Sequence, residues 1–208
     1  MPKFPEPPAA AALAGVPPET RTLGAGTELW RVYFRGGAHP TLWSQLRSYG
    51  PARSRFDHHP RPARVHADRS ILYGAENAHT ALAEVFQDQR LIDRRRGDPW
   101  LVGFQLTRDV TLLDLTGAWP TRAGASMNIN SGPRPRAQRW SQRIHEAYPR
   151  VEGILYSSSM NANAPAVALY ERARTALPSA PTFHRPLADP GLLVVLQNAA
   201  LRFGYRLR

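Results

Sequence analysis

The chain has 208 residues, 42% of them hydrophobic, and no cysteine, a composition that fits one globular domain. The absence of cysteine excludes a disulfide framework, a thiolate nucleophile, and any zinc or iron–sulfur site with cysteine ligands. The formal net charge is +11, and every basic residue except Lys3 is an arginine. This excess of positive charge is compatible with a partner or substrate that carries phosphates. The preference for arginine over lysine is equally typical of codon bias in a GC-rich genome.

The first 25 residues are rich in proline and alanine, and we predict that they form an N-terminal extension of a domain spanning residues 26–208. Residues 9–13 can form one or two helical turns, and Leu13 and Val16 predict that part of the extension packs on the domain. This segment lacks the apolar core of a signal peptide, and no apolar run approaches the roughly 20 residues of a membrane helix. We therefore expect a soluble, cytoplasmic protein.

Beyond the extension, short apolar segments alternate with polar turns. They predict strands at residues 28–34, 70–73, 100–106, 110–115, 153–156 and 166–170, and a short strand at the C-terminus. Only three residues, 107–109, separate the third segment from the fourth, and this spacing predicts a hairpin between them.

Apolar residues at helical spacing predict three helices, at residues 78–91, 136–147 and 190–202. Asn77 is a suitable N-cap for the first of them. Because strands and helices follow one another without regular βαβ alternation, the sequence predicts an α+β fold.

Polar side chains at the ends of these elements are the candidates for chemistry. Arg31 lies within an aromatic strand, where a buried guanidinium needs a carboxylate or a phosphate as its partner. Glu84 lies near the margin of the apolar stripe of the first helix, so it is either a solvated surface residue or a carboxylate held at a site. Ser157, Ser158 and Ser159 follow Tyr156 in a polar loop, where hydroxyls can meet a ligand.

Common catalytic motifs are absent from the sequence, which contains no P-loop, GxGxxG, GxSxG or HExxH pattern. His58, His59 and His66 could suggest a metal site, but adjacent side chains on a strand point to opposite faces. We therefore expect no bound metal and interpret these histidines as solvated loop residues.

Four segments in order, LWRVYF, RSRFD, ILYGAENAHTALAEVF and EGILYSSSMN followed by AVALYE, resemble the RES-domain family from about Gly26 to the C-terminus. The family is named for its Arg, Glu and Ser and provides the toxins of bacterial RES–Xre toxin–antitoxin modules. The resemblance implies an ADP-ribosyltransferase-like fold of small mixed or antiparallel sheets flanked by helices. It also implies an enzyme that degrades NAD⁺ as a substrate, with no cofactor and no metal.

The resemblance also implies roles for the matching residues. Arg31 and Arg55 would hold the phosphate or ribose-phosphate oxygens of NAD⁺, and Tyr73 would stack on or orient the nicotinamide end. Glu84 would face the nicotinamide ribose and stabilise positive charge as the N-glycosidic bond breaks. Much of the family has Pro or Arg where this chain has Ser157, so the family's serine is open among Ser157, Ser158 and Ser159. We assign it to Ser158, which would hydrogen-bond the same sugar or the carboxamide.

The partner implied by the resemblance is an Xre-family antitoxin that covers the active site, with DNA contacted only through that antitoxin, and the toxin is expected to form a homodimer. Three other functions stay open. The same site would serve a mono-ADP-ribosyltransferase with a protein target. A basic toxin that acts on RNA would use the arginines and histidines, although these are spread along the chain. A binding module without catalysis would use the Arg–Glu pair as a buried ion pair.

Overall fold

A computed structural model describes residues 3–208, so Met1 and Pro2 of the predicted extension lie outside the described residues. Within that range the chain forms twelve strands and five α-helices. The strands are β1 (Thr20–Leu23), β2 (Glu28–Phe34), β3 (Tyr49–Gly50), β4 (Arg64–Val65), β5 (Ile71–Ala75), β6 (Leu91–Ile92), β7 (Pro99–Gln105), β8 (Val110–Asp114), β9 (Gly153–Ser157), β10 (Pro165–Tyr170), β11 (Phe183–Pro186) and β12 (Arg206–Leu207). The helices are α1 (Ala10–Ala14), α2 (Ala78–Phe86), α3 (Trp119–Arg122), α4 (Arg134–Ala147) and α5 (Leu193–Phe203).

Eight strands form one mixed sheet in the order β1-β8-β9-β10-β5-β2-β7-β11. β8 and β9 are parallel, and the other neighbours are antiparallel. β2 pairs with β7 along its whole length but with β5 only where Trp30 meets Ala75. The sheet is therefore split into two halves that are joined at one point, and a gap opens between β2 and β5.

Helices cover the sheet and bury its apolar side chains. The largest apolar cluster surrounds Trp119 and Trp140, which are fully buried where α3 and α4 pack. A second cluster packs Leu82 of α2 and Leu196 of α5 against β2 and β7. The α+β prediction is confirmed by this arrangement of a large mixed sheet flanked by helices.

Most predicted elements lie where the sequence placed them, but two predictions are wrong. β7 and β8 do not form a hairpin, because β7 pairs with β2 and β11 whereas β8 pairs with β1 and β9. The first helix ends at Phe86 and not at residue 91, because Arg90 adopts a left-handed conformation (φ 45°) and Leu91–Ile92 pair with β12.

The described part of the extension packs on the domain. Phe4 is only 3% exposed, Leu13 is fully buried, and α1 lies against α4. β1 follows as an edge strand that the proline-rich composition did not predict. None of the helices in residues 3–208 combines the length and the apolar character that crossing a membrane requires.

Candidate active site

A cavity of about 390 Å³ lies at the gap between the two halves of the sheet. Its floor includes Arg31 and Val32 of β2 and residues 71–75 of β5. The walls come from the segment before β4, the C-terminal half of α2, the end of β9 and the first residue of α4. Long-range pairing and packing therefore bring six parts of the chain to one place.

Strand alternation directs backbone groups of β2 and β5 into the gap. On β5, Ile71 exchanges backbone hydrogen bonds with Arg47, and Ala75 pairs with Trp30. The backbone N–H and C=O groups of the odd-numbered residues of β5 therefore point toward β2. The N–H and C=O of Tyr73 follow the same alternation and point into the gap. On β2, Val32 lies between Trp30 and Phe34, whose backbone groups face the same side, so its N–H and C=O also point into the gap.

Arg31 extends from β2 into the cavity and is only partly satisfied. Its Nη1 donates to the carbonyl of Trp43 at 2.8 Å, whereas its buried Nε has no partner among the described residues. Burial lowers the pKa of Arg31 to about 10, so the guanidinium stays charged at neutral pH. A buried cation with a free donor favours an anionic ligand at this position.

Arg55 also lines the cavity. Its Nη1 donates to the carbonyl of Gly132 at 2.6 Å, and its Nη2 lies 3.5 Å from the carbonyl of Ser131. Burial, followed by the neighbouring charge of Arg134, lowers the pKa of Arg55. The backbone just before α4 thus sets the direction of this guanidinium.

A buried carboxylate organises the loop that carries Arg55. Asp57 is fully buried and accepts hydrogen bonds from Arg47 at 2.9 Å, from the amide of Ala52, and from the amide and ring of His59. Burial would raise the pKa of Asp57, but the hydrogen bond from His59 and the charge of Arg47 lower it to about 2.

Tyr73 lines the cavity and is tied to the same loop. Its hydroxyl accepts a hydrogen bond from the amide of Phe56 at 3.1 Å. Burial raises the pKa of the Tyr73 hydroxyl well above its ordinary value, so this group is neutral under all physiological conditions. The structure therefore fixes the ring of Tyr73 beside Arg55.

Glu84 and Ser158 meet at the α2 side of the cavity. The Oγ of Ser158 donates to Oε1 of Glu84 at 2.6 Å and accepts from the amide of Met160 at 3.2 Å. Ser158 is fully buried, so its hydroxyl fixes the direction of the carboxylate from behind. Ser159 is exposed and lines the cavity, whereas Ser157 ends β9. The carboxylate of Glu84 thus lines the cavity and is held by a buried hydroxyl.

Sequence reasoning did not single out several residues that line the cavity. Arg47, Arg53 and Arg134 join Arg31 and Arg55 there. Among residues 3–208, the carboxylates that line the cavity are those of Glu84 and Asp88. Arg134 donates to Gln87 at 3.1 Å and to Asp88 at 3.3 Å. The sequence contained one indication for Arg134. A positive charge in the first turn of a helix interacts unfavourably with the helix dipole, so an arginine there points to a role other than helix stability.

The histidines lie behind the site and are not solvated, so that part of the sequence interpretation is wrong. His58 and His59 are fully buried and His66 is 6% exposed. The ring of His58 stacks on that of His145 and packs at a tilt against that of Tyr170, because the loop after Arg55 folds under α4 and β10. Burial lowers the pKa of His58 to about 4, so the ring is neutral at pH 7.

Within residues 3–208, one group of side chains has the composition and spacing of a metal site. Ligand atoms of His58, His145 and Glu171 lie within 4.8 Å of one another. Oε1 of Glu171, however, already accepts from His145 at 2.8 Å and lies 3.5 Å from Arg172, which also approaches the second ring nitrogen of His145. A guanidinium at this distance opposes a bound cation, so we interpret the group as an ion-pair network.

Comparison with known proteins assigns the chain to a family and shows that its fold is shared with a solved structure. A model of the RES domain matches residues 28–188, a span that contains Arg31, Arg55, Tyr73, Glu84 and Ser158. No curated protein sequence matches the chain. Among solved structures, a chain of the "Crystal structure of the M. tuberculosis MbcT-MbcA toxin-antitoxin complex" is similar, with a TM-score of 0.60 and 14% identity over 91% of this chain and 97% of that chain. At this identity the likeness shows the fold alone.

Proposed function

The chain belongs to the RES-domain family, and from this membership and the geometry of the cavity we propose that it is the toxin of a toxin–antitoxin system that cleaves the N-glycosidic bond of NAD⁺. Nicotinamide leaves, water or phosphate takes the ADP-ribosyl group, and the cellular NAD⁺ pool falls. The observation that carries the proposal is a carboxylate, Glu84, fixed by Ser158 at a cavity that five arginines line in the described part of the chain.

The arginines suit the two phosphates of a dinucleotide. Guanidinium groups make charge-assisted, bidentate hydrogen bonds with phosphate oxygens. Arg31 has an unused donor, and Arg55 is held in place by backbone carbonyls. We assign the phosphates or ribose-phosphate oxygens to these two groups.

Glu84 suits the charge that develops when the glycosidic bond breaks. The ribose becomes oxocarbenium-like, and a carboxylate already oriented beside it lowers the barrier because no reorganisation is needed. Nicotinamide departs neutral from a cationic ring, so no proton donor is required. By strand alternation, the N–H and C=O groups of Val32 and Tyr73 point into the gap, and they would provide a donor and an acceptor of the kind that a carboxamide can pair with.

The same geometry serves the second candidate, transfer of ADP-ribose to a protein side chain, which differs only in the acceptor. An RNA-cleaving activity is less well supported, because no histidine lines the cavity among the described residues, and His58, His59 and His145 are buried behind it.

We also propose the partners and the location that the family resemblance implied. An antitoxin of the Xre family would cover the cavity, the toxin would form a homodimer, and the protein would act in the cytoplasm. The similar fold within a toxin–antitoxin complex supports the presence of an antitoxin partner.

The test is the loss of NAD⁺ and the appearance of free nicotinamide with purified protein, measured with and without phosphate. Wild type is compared with Glu84→Gln and with a matched control, Glu146→Gln, which removes a carboxylate from surface ion pairs on α4. We expect Glu84→Gln to lose activity by about 100-fold or more while staying folded, and Glu146→Gln to keep it. A folded wild type that leaves NAD⁺ intact under both conditions, or equal activity in wild type and Glu84→Gln, would overturn the proposal.

A further inference from the structure

The N-terminal extension lies outside the span matched by the RES domain, yet it packs on the segment that leads into α4. Phe4 is 3% exposed, and its ring stacks on Trp140 with 6.4 Å between centroids. The backbone carbonyls of Lys3, Phe4 and Pro5 accept hydrogen bonds from the domain. Their donors are Ser126, Arg136 and, at 2.9 Å, the indole of Trp140.

Phe4 touches the residue that holds Arg55. A Cβ on Gly132 would lie 2.9 Å from Cδ1 of Phe4 and 2.7 Å from the carbonyl oxygen of Asn128, so only glycine fits between them. The carbonyl of Gly132 accepts the 2.6 Å hydrogen bond from Nη1 of Arg55. One residue therefore receives the ring of the extension and also directs a guanidinium of the cavity.

The rest of this segment also lines the cavity. Asn130 and Arg134 flank Gly132, and both contribute to the cavity wall. Asn130 is anchored by its side-chain amide, which donates to the carbonyl of Leu115 at 3.0 Å. Beyond Arg134, Glu6 of the extension forms ion pairs with Arg136 and Arg139 on the first turns of α4. The extension thus packs on the same segment that lines the cavity.

We propose that the extension is a positioning element for the substrate site, with Phe4 as its key residue. By packing against Gly132, Phe4 keeps the carbonyls of residues 131 and 132 directed at Arg55, and Arg55 then presents its remaining N–H groups to the phosphates. This inference rests on the proposed function for the identity of the substrate, and it adds to the site a segment that the family match does not include.

The experiment compares Phe4→Ala with a matched control, Leu13→Ala, in the full-length chain. Leu13 is a fully buried residue of the same extension and the same apolar cluster, but its carbonyl accepts from Tyr148 at 2.8 Å, at the other end of α4. We expect Phe4→Ala to raise KM for NAD⁺ about tenfold with little change in kcat, because Arg55 binds ground state and transition state alike. Leu13→Ala should lower Tm to a similar degree and leave KM unchanged. Phe4→Leu, which keeps most of the apolar contact, should have a KM close to that of the wild type.

Hydrogen exchange provides a readout that does not depend on the reaction. The amides of Ser131 and Gly132 bond to the carbonyl of Asn128, and we expect them to exchange faster in Phe4→Ala than in Leu13→Ala. Equal exchange there in the two variants, or an equal rise of KM, would overturn the inference. A wild type without NAD⁺ cleavage would defeat the proposed function alone, since the exchange rates would still decide whether Phe4 holds the segment.

Discussion

Asp57 offers the sharpest test of how the loop of Arg55 is held. Each of its carboxylate oxygens accepts two donors: Oδ2 from Arg47 and the amide of Ala52, and Oδ1 from the amide and ring of His59. An asparagine has one acceptor oxygen, so Asp57→Asn directs an NH₂ group at two of the donors and removes the acceptor that they share. Breaking a buried, charge-assisted network in this way costs about 3–5 kcal/mol.

The assay for Asp57→Asn is urea denaturation followed by circular dichroism, with Asp109→Asn as the control. Asp109 is exposed, and one of its oxygens accepts a hydrogen bond from the amide of Ala25. We therefore expect Asp109→Asn to lower the free energy of unfolding by no more than about 1 kcal/mol. For a chain of this size the loss at Asp57 corresponds to a fall in Tm of about 10 °C. A loss below about 1 kcal/mol for Asp57→Asn would show that the network does not hold the loop.

The pH dependence of stability follows from the same group. The pKa of Asp57 falls from an ordinary 3.8 to about 2 on folding, which corresponds to about 2.5 kcal/mol of stability. A depressed carboxyl pKa stabilises the fold fully above pH 4, and the contribution is lost as the pH falls toward 2. In Asp57→Asn this part of the acid dependence should disappear, and an unchanged acid limb between pH 4 and 2 would contradict the assignment.

Two further predictions concern the cavity itself. Ser158→Ala removes the 2.6 Å hydrogen bond that directs Glu84, so we expect kcat for NAD⁺ cleavage to fall by about 10- to 100-fold with Tm nearly unchanged. A larger loss of kcat in Ser159→Ala than in Ser158→Ala would assign the functional hydroxyl to Ser159. Arg31→Lys keeps the charge but loses the planar fork, so KM should rise about tenfold. The matched control is Arg21→Lys on the exposed edge strand β1, and an equal KM in both variants would exclude Arg31 from phosphate binding.

Much of the local structure followed from the sequence because its causes are local. Alternating aromatic residues marked β2 with the observed ends, Glu28–Phe34, and Asn77 caps α2 as predicted, accepting from the amide of Thr80 at 2.8 Å. Errors arose where pairing partners are distant. The predicted hairpin between β7 and β8 failed because each strand finds better neighbours far away in sequence, a choice that no short window of residues contains.

The candidate site likewise has features that the sequence shows and features that only the fold shows. The aromatic strand around Arg31, the tyrosine before α2, Glu84 in an apolar helix and the serine loop were visible as residue types in order, and the family resemblance supplied their chemistry. The assignment of the family's serine to Ser158 stays a prediction. In the fold, the turn after β9 buries the hydroxyl of Ser158 against Glu84.

The sequence by itself determined the α+β class, the positions of most strands and helices, and the family, because periodicity and motif order are properties of the chain. Only the tertiary structure decided that β2 and β5 part after one pair, that Arg53 and Arg134 join the cavity, and that the extension supports Gly132. These features depend on contacts between residues up to about 130 positions apart. Such contacts form only when the packing of the whole domain stabilises them, since closing a long loop carries an entropy cost that no local segment can offset.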